Sequence, residues 1–173
     1  MRGMVKFLTV LVLALGTMPA PIHSAATNSG AEAFEKLKLL AGHWESVNGG
    51  EMKATLDIEL TGGGSAVAER FHMVDHGKSE DMLTTYYLDG DQVKLTHYCM
   101  AGNQPTLRGT YSPETKTITF DFVSATNLKS VNEGHMHRAV YTFVDNDHLK
   151  MAWTYRKDQK DAFTEDFMYV RKQ

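Results

Sequence analysis

The chain changes its hydrophobic period once. Ala31, Phe34, Leu37 and Leu40 recur at the spacing of one helical face, so residues 31–41 predict a short amphipathic helix. Ser29 and Glu32 stand three apart, as in a capping box, and Gly42 ends the pattern. Beyond it the period falls to two. Alternating runs rich in β-branched and aromatic residues predict strands near 43–48, 52–60, 65–74, 81–88, 92–100, 106–112, 117–124, 135–145, 149–157 and 164–171. Turn chemistry separates them, for example Asn48-Gly49-Gly50, Asp75-His76-Gly77, Asp89-Gly90-Asp91 and Asp145-Asn146-Asp147. Pro105 and Pro113 fall in predicted turns as well. Consecutive strands with short connections predict an antiparallel, up-and-down meander. Closure would remove its exposed edges. The expected fold is therefore all-β: a barrel of about ten strands with one short N-terminal helix.

Alternation also predicts which side chains look inward. Ile118, Phe120 and Phe122 share one face; so do Leu149, Met151, Trp153 and Tyr155, and likewise Val93, Leu95, His97 and Cys99. A two-residue turn at Gly90 brings Met82, Thr84, Tyr86 and Leu88 onto the His97 face. The Asp145–Asp147 turn offers two registers. Three residues pair Phe143 with Leu149 and turn His137, Ala139 and Tyr141 inward, whereas two residues send Arg138 and Val140 inward. The first buries more apolar surface and is favoured.

The N-terminus has a different pattern. Arg2 and Lys6 precede the apolar run Phe7–Gly16, and Thr17–Ala26 ends in small residues, with Ser24 and Ala26 placed for cleavage before Thr27. Residues 1–26 read as a cleaved secretory signal, too short to span a bilayer, and residues 27–30 as a leader. A single domain over 31–173 is expected, exported to the periplasm or medium, with no transmembrane segment after cleavage. The mature part carries 21 acidic residues against 16 basic ones (18 less Arg2 and Lys6), a net charge of −5 that argues against nucleic acid. With one cysteine, no intrachain disulfide can form.

Candidate chemistry is sparse. His97 and Cys99 share a strand face, where an imidazole and a thiol could meet a metal, or act as base and nucleophile. A buried, inert cysteine beside a hydrogen-bonded histidine is the plainer expectation. His135-Met136-His137 is a second metal-type spacing. Seven methionines remain in the mature chain, spread over strands as core or pocket lining rather than clustered for copper. Arg138, Arg108 and Glu69 lie within apolar strands, so any of them that faces inward needs a partner or a ligand. There is no phosphate-binding glycine loop and no GxSxG elbow.

The segment Leu37–Trp44, LKLLAGHW, puts Gly-x-Trp after a short helix. It resembles the opening of lipocalin-like, or calycin, barrels. Residues 31–173 also resemble a bacterial family of exported lipocalin-like proteins of unknown function, through LAGHW, LTHYCMAGNQP (95–105) and F-x-D-x-D-x-L-x-x-x-W (143–153). The same opening is similar to that of nitrobindin-type ten-stranded haem barrels. The resemblance implies the barrel and an internal pocket, but no activity.

The expected function is binding of a small, largely apolar or amphipathic molecule by Trp44, Tyr86, His97, Cys99, Arg138, Trp153 and Tyr155. Binding is favoured over catalysis, and no resident cofactor is expected. One alternative is a zinc, copper or haem site built on His97, Cys99, His135 and His137. The other is an enzyme using His97 or Cys99 in the cavity.

Overall fold

A computed structural model describes residues 29–47 and 52–173. The expected signal segment, the first two leader residues and the Asn48-Gly49-Gly50 turn lie outside that range. Helix α1 is Ser29–Lys38. The strands are β1 (Gly42–Ser46), β2 (Lys53–Thr61), β3 (Ala66–Asp75), β4 (Lys78–Asp89), β5 (Gln92–Tyr98), β6 (Gln104–Ser112), β7 (Thr117–Thr126), β8 (His135–Phe143), β9 (His148–Lys157) and β10 (Lys160–Lys172). Each strand pairs with its sequence neighbours, and β1 pairs with β10 to close the barrel. The all-β, up-and-down architecture expected from the alternation is the one observed. Among the described residues no helix is long and apolar enough to cross a membrane.

The helix starts two residues earlier than its hydrophobic pattern, so Ser29 and Gly30 belong to it rather than to a leader. Ala33, Phe34 and Leu37 form its buried face, and each large side chain so buried stabilises by about 2 kcal/mol. Gly30 lies so close to the Asp91 carbonyl that a Cβ would collide with it. The helix is thereby seated on the β4–β5 turn and covers one end of the barrel.

Trp44 completes that end. It is fully buried, and its Nε1–H donates to the Leu40 carbonyl at 2.8 Å. The Arg171 guanidinium lies 4.1 Å from the Trp44 ring centre and donates to the carbonyls of Ala41 and Leu39. Residues from opposite ends of the chain thus lock helix, first strand and last strand together.

The core follows the alternation, with three exceptions. Leu88, expected inward, is 39% exposed near the end of β4. Pro105 is inside β6, opposite Ala125, rather than in a turn. The β5–β6 ladder has already ended at Thr96–Thr106, so no β5 residue pairs with the proline. The third exception is a register slip in β8. Phe143 pairs with Leu149 as the three-residue turn requires, but the pairing shifts between Met136 and Arg138. His137 is the extra residue of that bulge, and Met136 takes the inward place opposite Tyr155.

Candidate interior binding site

Two tight turns set one polar rung across the interior. The His76-Gly77 turn pairs Asp75 with Lys78 and so places Glu69 opposite Thr84. The Gly90-Asp91 turn pairs Asp89 with Gln92 and so places Thr84 opposite His97. Glu69, Thr84 and His97 therefore lie side by side on β3, β4 and β5, all buried in the core. Such groups need hydrogen-bond partners.

The partners form a chain. Tyr86 O–H donates to Glu69 Oε2 at 2.6 Å, and the Tyr86 and Tyr141 hydroxyls are 2.8 Å apart. The Tyr86 proton is committed to the carboxylate, so Tyr141 donates to Tyr86. Thr84 Oγ1 lies 2.9 Å from His97 Nδ1, and its hydroxyl also acts to hold the Glu69 pKa down. A hydroxyl has one proton. In the tautomer that directs this proton to Glu69, Thr84 accepts from His97 Nδ1–H, and Nε2 carries a lone pair. That buried Nε2 has no hydrogen-bond partner within the protein.

Burial sets the charges. Desolvation pushes the Glu69 carboxyl up to about 7, against the opposing effect of hydrogen bonds from Tyr86 and Thr84. It pushes His97 down to about 4, so the imidazole is neutral at pH 7. Tyr86 and Tyr141 are raised well above the ordinary phenol value, first by burial and then by the Glu69 charge.

His97 and Glu69 border a cavity of about 20 Å³, together with Trp153 and Glu165. Phe71, Phe167, Met82 and Met136 supply the rest of its wall. The space suffices for one water-sized group. The His97 and Trp153 ring centres are 4.8 Å apart. Phe71, Met82 and Glu165 are only half-buried, so the wall on their side is thin.

The seven expected ligand-binding residues separate into four places. His97 and Trp153 meet at the cavity, and Tyr86 joins them through Glu69 and Thr84. Tyr155 and Cys99 sit toward the end away from α1. Tyr155 stacks on Phe163 at 5.1 Å, and Gly134 lies so near its hydroxyl that a Cβ there would clash. The same loop is tied down by Asn103, whose Nδ2–H donates to the Gly134 carbonyl. Cys99 is half-buried, and burial raises its thiol pKa, which disfavours the thiolate. Trp44 belongs to the helix-covered end. Arg138 is on the outer face, 52% exposed and 3.5 Å from Asp121, because the Phe143–Leu149 register turns Ala139 and Tyr141 inward. It does not line the interior.

The four alternative metal ligands do not converge. His135 and His137 contact each other at 3.2 Å, and both rings pack on Phe122, away from the His97–Trp153 pair. Among the described residues no group of three or more His, Cys, Asp or Glu is placed to hold a metal ion. Of the three charged residues within apolar strands, Glu69 is the one that turns inward, while Arg108 and Arg138 are exposed. Glu69 has the parity of Val67 and Phe71, and the short turn after Asp75 assigns its partner. Those signals were present in the sequence. Glu165, Met82 and Met136 carried no comparable signal as a group, since only barrel closure and the β8 bulge bring them to one cavity.

A larger groove of about 570 Å³ lies outside the barrel, between α1 and the β6–β7 and β8–β9 turns. Its Arg171 is fully engaged with the carbonyls of Ala41, Leu39 and Asn146.

No protein-family model and no curated protein matches this chain. Among solved structures, the crystal structure of Rv2717c from M. tuberculosis is similar, with a TM-score of 0.60 and 17% sequence identity over 83% of this chain and 99% of that one. At that identity the likeness shows the fold: a calycin-like barrel of ten antiparallel strands.

Proposed function

We propose that this protein is exported and binds a small, mostly apolar molecule bearing one polar group inside its barrel. The observation that carries the reading is His97 Nε2. It is a buried nitrogen without a protein partner, beside a cavity walled mainly by rings and thioethers. A buried acceptor left unpaired costs about 1–3 kcal/mol, so a bound donor recovers that energy. Most of the remaining wall is apolar and rewards a hydrocarbon body. Met82 and Met136 are unbranched, and their side chains can swing aside to admit more than a water-sized group. The signal-like N-terminus supports export.

Trp153 provides the test. A molecule seated beside it changes its fluorescence, and native mass spectrometry of protein recovered from its own compartment should show a small adduct released on unfolding. H97L should lose the adduct while keeping the barrel's circular dichroism. Wild-type protein that carries no adduct, and whose emission is unmoved by small amphipathic solutes, would defeat this reading.

A further inference from the structure

The polar lining of the interior cavity has one kind of chemistry. Glu69 and Glu165 bring carboxyl groups, and His97 brings a lone pair. Neither Lys nor Arg is among the residues that line it. Around these acceptors stand the faces and edges of Trp153, Phe71 and Phe167. An anionic ligand would meet two carboxyl groups and no fixed donor. A pure hydrocarbon would leave Nε2 unpaired.

We propose that the molecule held in the barrel is a small organic cation, a primary alkylammonium whose N–H groups reach His97 Nε2 and the Glu69 and Glu165 carboxylates. This rests on the preceding reading of His97 as the interior binding group. Three N–H donors match three acceptors. The charged head is about the size of a water molecule, which is the space available. Aromatic faces favour the cation, and the thioethers of Met82 and Met136 accommodate its alkyl chain. No side chain of the lining pairs with these two carboxyl groups, so a bound cation would favour their ionised forms. Burial raises Glu165 as it does Glu69, and the neighbouring Glu80 and Asp75 add to the effect.

The experiment is calorimetry on the mature protein with three solutes of one size: propylammonium chloride, 1-propanol and sodium propionate. Propylammonium should bind, 1-propanol about tenfold or more weaker, and propionate not at all. Glu69 must be ionised to hold the cation, so affinity should rise as pH increases through about 7, with proton release to the buffer. E69Q and E165Q should each weaken propylammonium about tenfold, a larger factor than either takes from 1-propanol. E165Q alters a half-buried position, so it provides a folded variant should E69Q unfold. If 1-propanol binds as well as propylammonium and H97L abolishes both, the interior site stands and the cation assignment falls. If the two Gln variants keep full propylammonium affinity, the assignment falls too. Failure of all three solutes overturns both readings.

Discussion

The helix-covered end and the mid-barrel rung treat their polar groups in opposite ways. At the first, Trp44 Nε1 is paired with Leu40, and every arm of Arg171 reaches a carbonyl. At the second, a hydrogen-bonded chain runs from Tyr141 through Tyr86, Glu69 and Thr84 to His97 and then stops at an unpaired nitrogen. Both regions are buried, so burial does not separate them. Satisfaction does. A saturated polar cluster holds a fold together, whereas a buried chain with one open terminus is poised for something the chain itself does not contain.

The contrast is broken most severely at the helix end. W44A removes a fully buried indole and orphans the Leu40 carbonyl, so it should cost about 4 kcal/mol of unfolding free energy in a denaturant titration. A loss below about 1 kcal/mol would mean that this end is not the structural clamp.

The next effect is at the rung, and it depends on pH. Glu69 has a folded value raised above its ordinary 4.5 to about 7. Its contribution to stability is thus full below pH 4.5 and lost as pH rises through about 7. His97 runs the other way: its folded value is depressed from 6.5 to about 4, so its contribution is present above pH 6.5 and lost as pH falls. Between these values the two slopes oppose each other, and wild-type stability should be nearly level. E69Q removes one slope. Relative to E69Q, the wild type should lose about 3 kcal/mol of stability between pH 4.5 and 7, measured by urea unfolding at a series of pH values. Parallel curves for the two proteins would contradict the assignment of Glu69 as a desolvated acid.

The smallest effect sharpens the boundary of the site. Arg138 is half-exposed on the outer wall, so R138A should change stability by no more than about 0.5 kcal/mol. It should also leave ligand-induced Trp153 fluorescence unchanged. A loss of binding in R138A would return that residue to the interior.

How far the site could be read in advance differs from strand to strand. His97, Thr84 and Tyr86 were assignable to one inward face because a two-residue turn at Gly90 preserves parity, and Asp89 indeed pairs with Gln92. Arg138 is assignable to the outer face from the three-residue turn that pairs Phe143 with Leu149. The same register predicts His137 inward, but the slip there makes His137 the extra residue and gives the inward place to Met136, and no local residue announces that slip. Alternation alone does not separate Trp44 from the interior aromatics. Its separation from His97 depends on which end of the barrel the helix covers. Glu69 stands out as a charge in an apolar run, and the short turn after Asp75 sets its partner Thr84, but its hydrogen bond to Tyr86 is seen only in the folded barrel.

Local chemistry by itself therefore determined the helix, the ten strands, their turns and most of their inward faces. Each of these depends on residues within a few positions of one another, through period, turn type and parity. Only the tertiary structure decided how β10 meets β1, and that Glu165 from the last strand lines one small cavity with Glu69 and His97. Those are contacts between positions far apart in the chain. They are set by the closure of the barrel and by a single extra residue in β8, and no short-range pattern encodes either.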